Sequence, residues 1–175
     1  MEIIEKVKML LLVVGLFVVG SVLTACSEMV DKINEQAEAQ DEIIDYIEAS
    51  NPVIQAAADA EIAADEFVFG EEDLERAHTF LVKTTIPELE KVVADTEAIV
   101  LTLEPLQPSH DKLIEAHNKL LEAYSTYAEG FYNGDESLLD KGDMLYEEYG
   151  AISEEHEFLF TELADEYRLE VEKKK

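Results

Sequence analysis

The chain has 175 residues, of which 13 are Lys or Arg and 41 are Asp or Glu, giving a formal net charge of −28. A surface of that sign repels phosphate, so nucleic acid and anionic lipid headgroups are poor partners; their binding rests on Lys and Arg neutralising phosphates. A single cysteine rules out an internal disulfide and a thiolate metal cluster, which leaves packing to hold one domain-sized fold together.

The first element is a short basic and then apolar segment. Lys6 and Lys8 precede the run Met9 to Val22, broken only by Gly15, Gly20 and Ser21. The order positive, apolar, small is that of a secretory signal. Leu23-Thr24-Ala25-Cys26 then places the lone cysteine directly after a small-residue cleavage site. This stretch resembles the lipobox of bacterial lipoproteins. The resemblance implies that the Cys26 thiol receives a diacylglycerol, that residues 1–25 are removed as a signal peptide, and that 26–30 tether a domain over 31–175. It also implies a location on the extracytoplasmic face of the cell membrane, with the membrane reached through lipidated Cys26. An uncleaved membrane anchor is the alternative, since the run from Met9 to Ala25 approaches the length of a spanning helix. Cleavage would remove Lys6, Lys8, Glu2 and Glu5 together, so the net charge would stay at −28.

After Cys26 the pattern is helical throughout, and Gly70, Pro105 to Pro108 and Asn133-Gly134 divide it into four helix-length segments. The first runs from about Glu28 to Val68, with Val30, Ile33, Ala37, Ile44, Ile47, Ile54 and Ala58 near heptad spacing. Asn51-Pro52 either kinks it or restarts it with Ser50 or Asn51 as cap. The second spans about Glu71 to Leu103, with Val82, Ile86, Leu89, Val93, Thr96, Val100 and Leu103 inward and a kink at Pro87. The third starts after Pro108 with Ser109 as cap, and its seam is Leu113, His117, Leu120, Tyr124, Tyr127 and Phe131. The fourth starts at Asp135 or Ser137, and its seam is Leu138, Leu145, Tyr149, Ile152, His156, Leu159 and Leu163. Lys173-Lys174-Lys175 suits the negative pole at the end of that helix.

Short connections predict an all-α, antiparallel up-down bundle of three to four long helices, the three-helix form having the stretch before Pro52 as a stalk. This acidic helical part is loosely similar to small, acidic, all-helical lipoproteins of Gram-positive cells, a likeness of pattern that carries no active residue.

Histidines are the candidates for chemistry, because neutral imidazole both binds metals and titrates near neutrality. An antiparallel register turning near Gly134 sets His156 opposite the neighbourhood of Lys112, and one turning near Leu106 sets His117 opposite Asp95. His110, His117 and His156 are thus the histidines able to converge, as core residues or as a metal site, and His78 lies apart. Glu75-Arg76-Ala77-His78 is a single Glu-x-x-His spacing, whereas a di-iron bundle requires two. Tyr124, Tyr127, Tyr132, Tyr146 and Tyr149 bracket the third loop as core residues, an aromatic ligand patch being the alternative. No phosphate loop, zinc helix or nucleophile elbow is present, so no catalytic residue and no cofactor is expected. The expected function is that of a binding or structural lipoprotein of the cell envelope. The alternatives are cation binding or buffering linked to uptake, and an envelope-polymer enzyme without an identifiable site.

Overall fold

A computed structural model describes the backbone of residues 2–68 and 73–169 and the side chains of 34–68 and 73–169. The elements are α1 (Glu2–Val68), α2 (Leu74–Phe80), a π-helical turn (Leu81–Thr85), α3 (Ile86–Glu97), a 3₁₀ turn (Glu104–Leu106), α4 (Gln107–Asn133) and α5 (Glu136–Glu166). Two compact units are distinguished, 1–41 and 42–175, and the bundle is the second. Cys26, the signal-peptide and tether segments and Lys173-Lys174-Lys175 lie outside the residues with described side chains. Among the described residues no helix is long and apolar enough to cross a membrane.

Residue pairs fix the topology. Ser109 meets His156, Lys119 meets Glu148 and Tyr127 meets Asp143, so α4 and α5 run antiparallel. Thr96 meets His117 and His78 meets Ala128, so the α2–α3 segment also opposes α4. Tyr46 meets His110 and Asp65 meets Tyr124, which makes α1 and α4 parallel. The result is the up-down-up-down bundle of four packed helical segments, with α4 touching all the others.

The first segment is continuous through Pro52, not restarted there, and residues 42–51 belong to the bundle. Pro52 and Glu48, the residue whose carbonyl loses its donor, both face solvent, where water satisfies that oxygen. Ile43, Tyr46 and Ser50, all before Pro52, are buried. The inward face of α1 is Ile43, Tyr46, Ser50, Val53, Ala57, Ala60, Ala64 and Val68, one residue away from the expected seam. Ile44 and Ile54 turn outward, as does Ala37. Small residues share this interior with Ile43, Tyr46, Val53 and Val68, and an isoleucine at the fully buried Ala57 or Ala64 would overpack.

The second segment also departs from expectation. Its inward residues are Ala77, Leu81, Thr85, Leu89, Val92 and Thr96, whereas Val82 is 44% exposed and Val100 84% exposed. Steps of four residues drift about 40° per step in an α-helix, and the wider turn at Leu81–Thr85 takes up that drift. The same turn accommodates Pro87, which sits in the first turn of α3 where its missing N–H is harmless. The helix stops at Glu97 rather than Leu103, and Ile99, Leu101 and Leu103 pack from the connecting strand of chain onto a core of Ile43, Tyr46, Leu106 and Leu163.

α4 begins at Gln107 with Pro108 in its first turn, so Ser109 is inside the helix and buried, not its cap. Its expected seam is otherwise inward, from Leu113 to Tyr127, with Phe131 partly buried. Gly134 ends it at φ 62°, a left-handed conformation open to glycine without strain. Asp135 caps α5, its Oδ1 accepting from the Ser137 N–H at 2.9 Å.

Candidate functional site

Polar groups enter the bundle in two clusters, both on α4. The first is the histidine set at the end where α4 begins. His117 is 3% exposed and its Nδ1 lies 2.8 Å from Thr96 Oγ1. That hydroxyl donates to the Val92 carbonyl at 2.7 Å, so it accepts from His117 Nδ1–H. His156 Nδ1 donates to the Ser109 carbonyl at 2.9 Å and has Ser109 Oγ at 3.0 Å. His110 sits edge-on to Tyr46, ring centroids 5.7 Å apart, with its Nδ1 3.5 Å from the Tyr46 hydroxyl.

Burial holds all three imidazoles below their ordinary pKa, His117 down to about 4. His156 also opposes the protonation of His110 and of His117 by charge, which places the three in one electrostatic neighbourhood. They are not gathered around a point: each bridges to a different partner. Among the described residues no group of three or more His, Cys, Asp or Glu side chains is placed to hold a metal ion. The expected register is close for His117, which meets Thr96 beside Asp95. For His156 it is met as well: Lys112 pairs with the adjacent Glu155, while Ser109, one turn earlier on α4, takes the imidazole. His78 stands apart as expected, its Nδ1 3.0 Å from the Ala128 carbonyl and its ring 5.1 Å from that of Tyr132.

The second cluster joins α1, α4 and α5 and is built from phenols and carboxylates. Tyr146 donates to Glu61 Oε1 at 2.7 Å, Tyr124 to Asp65 Oδ1 at 3.4 Å and Tyr127 to Asp143 Oδ1 at 2.7 Å. Tyr149 is a further phenol beside Glu61, its own pKa pushed up to about 12 mainly by burial. Glu61 Oε2 is shielded from solvent and has no hydrogen-bond partner. Desolvation, aided by the charge of Asp65, raises the pKa of Glu61 against the pull of the Tyr146 hydrogen bond. The phenols of Tyr124, Tyr127 and Tyr146 are likewise held well above their ordinary range, so these three act as neutral donors. Sequence reasoning placed these tyrosines in or near the core but missed Glu61 and Asp65. Their i, i+4 spacing on an inward edge was the available signal, hidden among many other acidic residues. Tyr132 is 74% exposed and does not join the others in an aromatic patch.

A cleft of about 460 Å³ opens beside the histidine end, lined by Pro105, Pro108, Ser109, Leu159, Glu162 and Leu163 among others. Its lining combines apolar Pro105, Pro108, Leu159 and Leu163 with acidic Glu162 and Glu166. Comparison with family models, curated proteins and solved structures finds no match to this chain.

Proposed function

We propose that the protein is a lipid-anchored component of the cell envelope, working on the extracytoplasmic face as an acidic helical platform or spacer. The observation that carries this reading is Leu23-Thr24-Ala25-Cys26 at the end of an apolar run, with the chain's one cysteine at the position where acylation requires it. The charge supports the same reading: a net −28 repels anionic headgroups and nucleic acid and favours cationic partners. The polar interior supports it too, since both clusters described above are used to join helices.

The test is expression of the full chain and of Cys26→Ser in a bacterium fed an alkyne fatty acid. Two acyl chains hold a protein to a membrane far more firmly than one, each buried methylene contributing about 0.8 kcal/mol. The parent is expected to take up label, lose about 25 residues and partition with detergent; the variant is expected to remain unlabelled and unprocessed. Equal processing and equal partitioning of the two would refute the anchor.

A further inference from the structure

Two buried threonines of the bundle return their hydroxyls to the backbone. Thr96 Oγ1 donates to the Val92 carbonyl at 2.7 Å and Thr126 Oγ1 to the Glu122 carbonyl at 2.8 Å, in each case four residues back. Thr85 departs from this habit. It is 1% exposed, and its Oγ1 is shielded from solvent without a hydrogen-bond partner. The π turn accounts for the difference: the Leu81 carbonyl, four residues back from Thr85, is turned to the Ile86 N–H, five residues on. A buried hydroxyl left unpaired is costly and calls for a partner.

A smaller cleft, of about 250 Å³, opens where this turn faces α1, and Thr85 lines it. The α1 wall carries the methyl groups of Ala56, Ala60 and Ala63 and the carboxylate of Asp59. The opposite wall adds Thr84 and, from α3, Glu88; no Lys or Arg among the described residues lines the cleft. Asp59 and Glu88 are exposed whereas Ala60 and Thr85 are buried, so the charge sits on the solvent side and the unpaired hydroxyl on the inner side. Two carboxylates ask for a cation, and the alanine methyls for a short carbon chain. Thr85 asks for a neutral polar atom, since a charge brought to a buried hydroxyl would lose its water without gaining a counter-ion. The volume falls below the roughly 300–1,000 Å³ of pockets that take drug-sized ligands, so the occupant is small. A net −28 concentrates such cations around the protein.

We propose that this cleft binds a small amino alcohol, with its ammonium at Asp59 and Glu88, its carbon chain against Ala56, Ala60 and Ala63, and its hydroxyl completing Thr85. Binding parts α1 slightly from the π turn, because Oγ1 is shielded from solvent. The site belongs to the bundle and does not depend on the lipid anchor.

Calorimetric titration of the full chain in detergent with 4-amino-1-butanol, butylammonium and 1-butanol separates the three parts. The amino alcohol is expected to bind saturably at one site, butylammonium about fivefold more weakly for want of the hydroxyl, and butanol about tenfold more weakly for want of the charge. Thr85→Val, which keeps the shape and removes the hydroxyl, is expected to melt no lower than the parent and to bind the amino alcohol and butylammonium equally. Glu88→Gln is expected to weaken both ammonium probes and leave butanol unchanged. Absence of saturable binding by the amino alcohol would overturn the proposal and leave Thr85 to an ordered water. A preference for the amino alcohol retained by Thr85→Val would overturn it too. If Thr85→Val does not fold, Ala63→Leu decides, since it fills the cleft from a half-buried position. Binding lost with the helical signal retained supports the site; binding unchanged overturns it.

Discussion

His117 gives up its water on folding and gains a threonine hydroxyl in exchange, so its pKa falls to about 4. A group whose folded pKa lies below its unfolded value binds fewer protons in the folded state. Its contribution to stability is complete above the ordinary value near 6.5 and is lost as pH falls toward 4, amounting to roughly 3 kcal/mol at most. Glu61 has the reverse sign. Its carboxyl is raised in the fold, so its contribution is present in acid and is lost as pH rises through the folded value. Glu61→Gln is therefore expected to gain stability relative to the parent between about pH 4 and pH 7, read as a shift in urea midpoint. A difference between the two proteins that does not change with pH would count against a strained, desolvated carboxyl at this position.

At the scale of elements, the α4–α5 contact depends on glycine. A Cβ on Gly142 would stand 2.5 Å from the Tyr127 ring, which is fixed by its bond to Asp143 and its edge contact with Tyr124. The helices would have to part, so Gly142→Ala is expected to lose about 1–3 kcal/mol despite the better helix former. Gly150, on the same helix, has nothing within 4 Å of that position. Gly150→Ala is expected to gain up to about 1 kcal/mol, and the pair of thermal melts tests packing against propensity. The legibility of the elements follows the same physics. α4 and α5 could be read because Leu113, Leu120, Tyr124 and Leu145 are large side chains at helical spacing, and the small buried residues Ala116, Ala123 and Gly142 lie beside them on the same faces. α1 could not be placed to the residue, since Ile44 and Ile54 outrank Ala57 and Ala64 in hydrophobicity, yet the face that carries Ile43, Tyr46 and Val53 turns the alanines inward. The π turn escaped for a related reason: the four-residue steps from Ala77 to Leu89 include Thr85, which does not read as a core residue. The neighbourhoods of His117 and His156 were legible through antiparallel register; the Tyr46–His110 contact between parallel helices was not, nor was the Glu61 carboxyl, because nothing in the sequence separates a buried glutamate from a solvated one.

For the whole molecule, self-repulsion opposes the compact state. The cross-helix ion pairs Lys112–Glu155 and Lys119–Glu148 fasten α4 to α5 at 2.9 and 3.1 Å, yet both glutamates are more than half exposed, and such pairs contribute at most about 1 kcal/mol. Against a net −28 this is small. Raising salt toward physiological ionic strength shortens the screening length to about 8 Å and weakens repulsion more than it weakens these pairs. The melting temperature is expected to rise with sodium chloride over that range and to rise equally with other monovalent salts. A fall, or a rise confined to divalent cations, would contradict generic repulsion and point to cation sites.

The position of α4 bears on how such a chain can change over generations. Twelve of its 27 residues are buried, against four of the 31 in α5. A substitution in α4 must satisfy up to three neighbouring helices at once, whereas one whole face of α5 meets solvent. Drift is thus channelled into the outer faces of α1 and α5, which can exchange one acidic residue for another at almost no structural cost. Descendants of this fold would share the helix from Gln107 to Asn133 long after the rest had become unrecognisable.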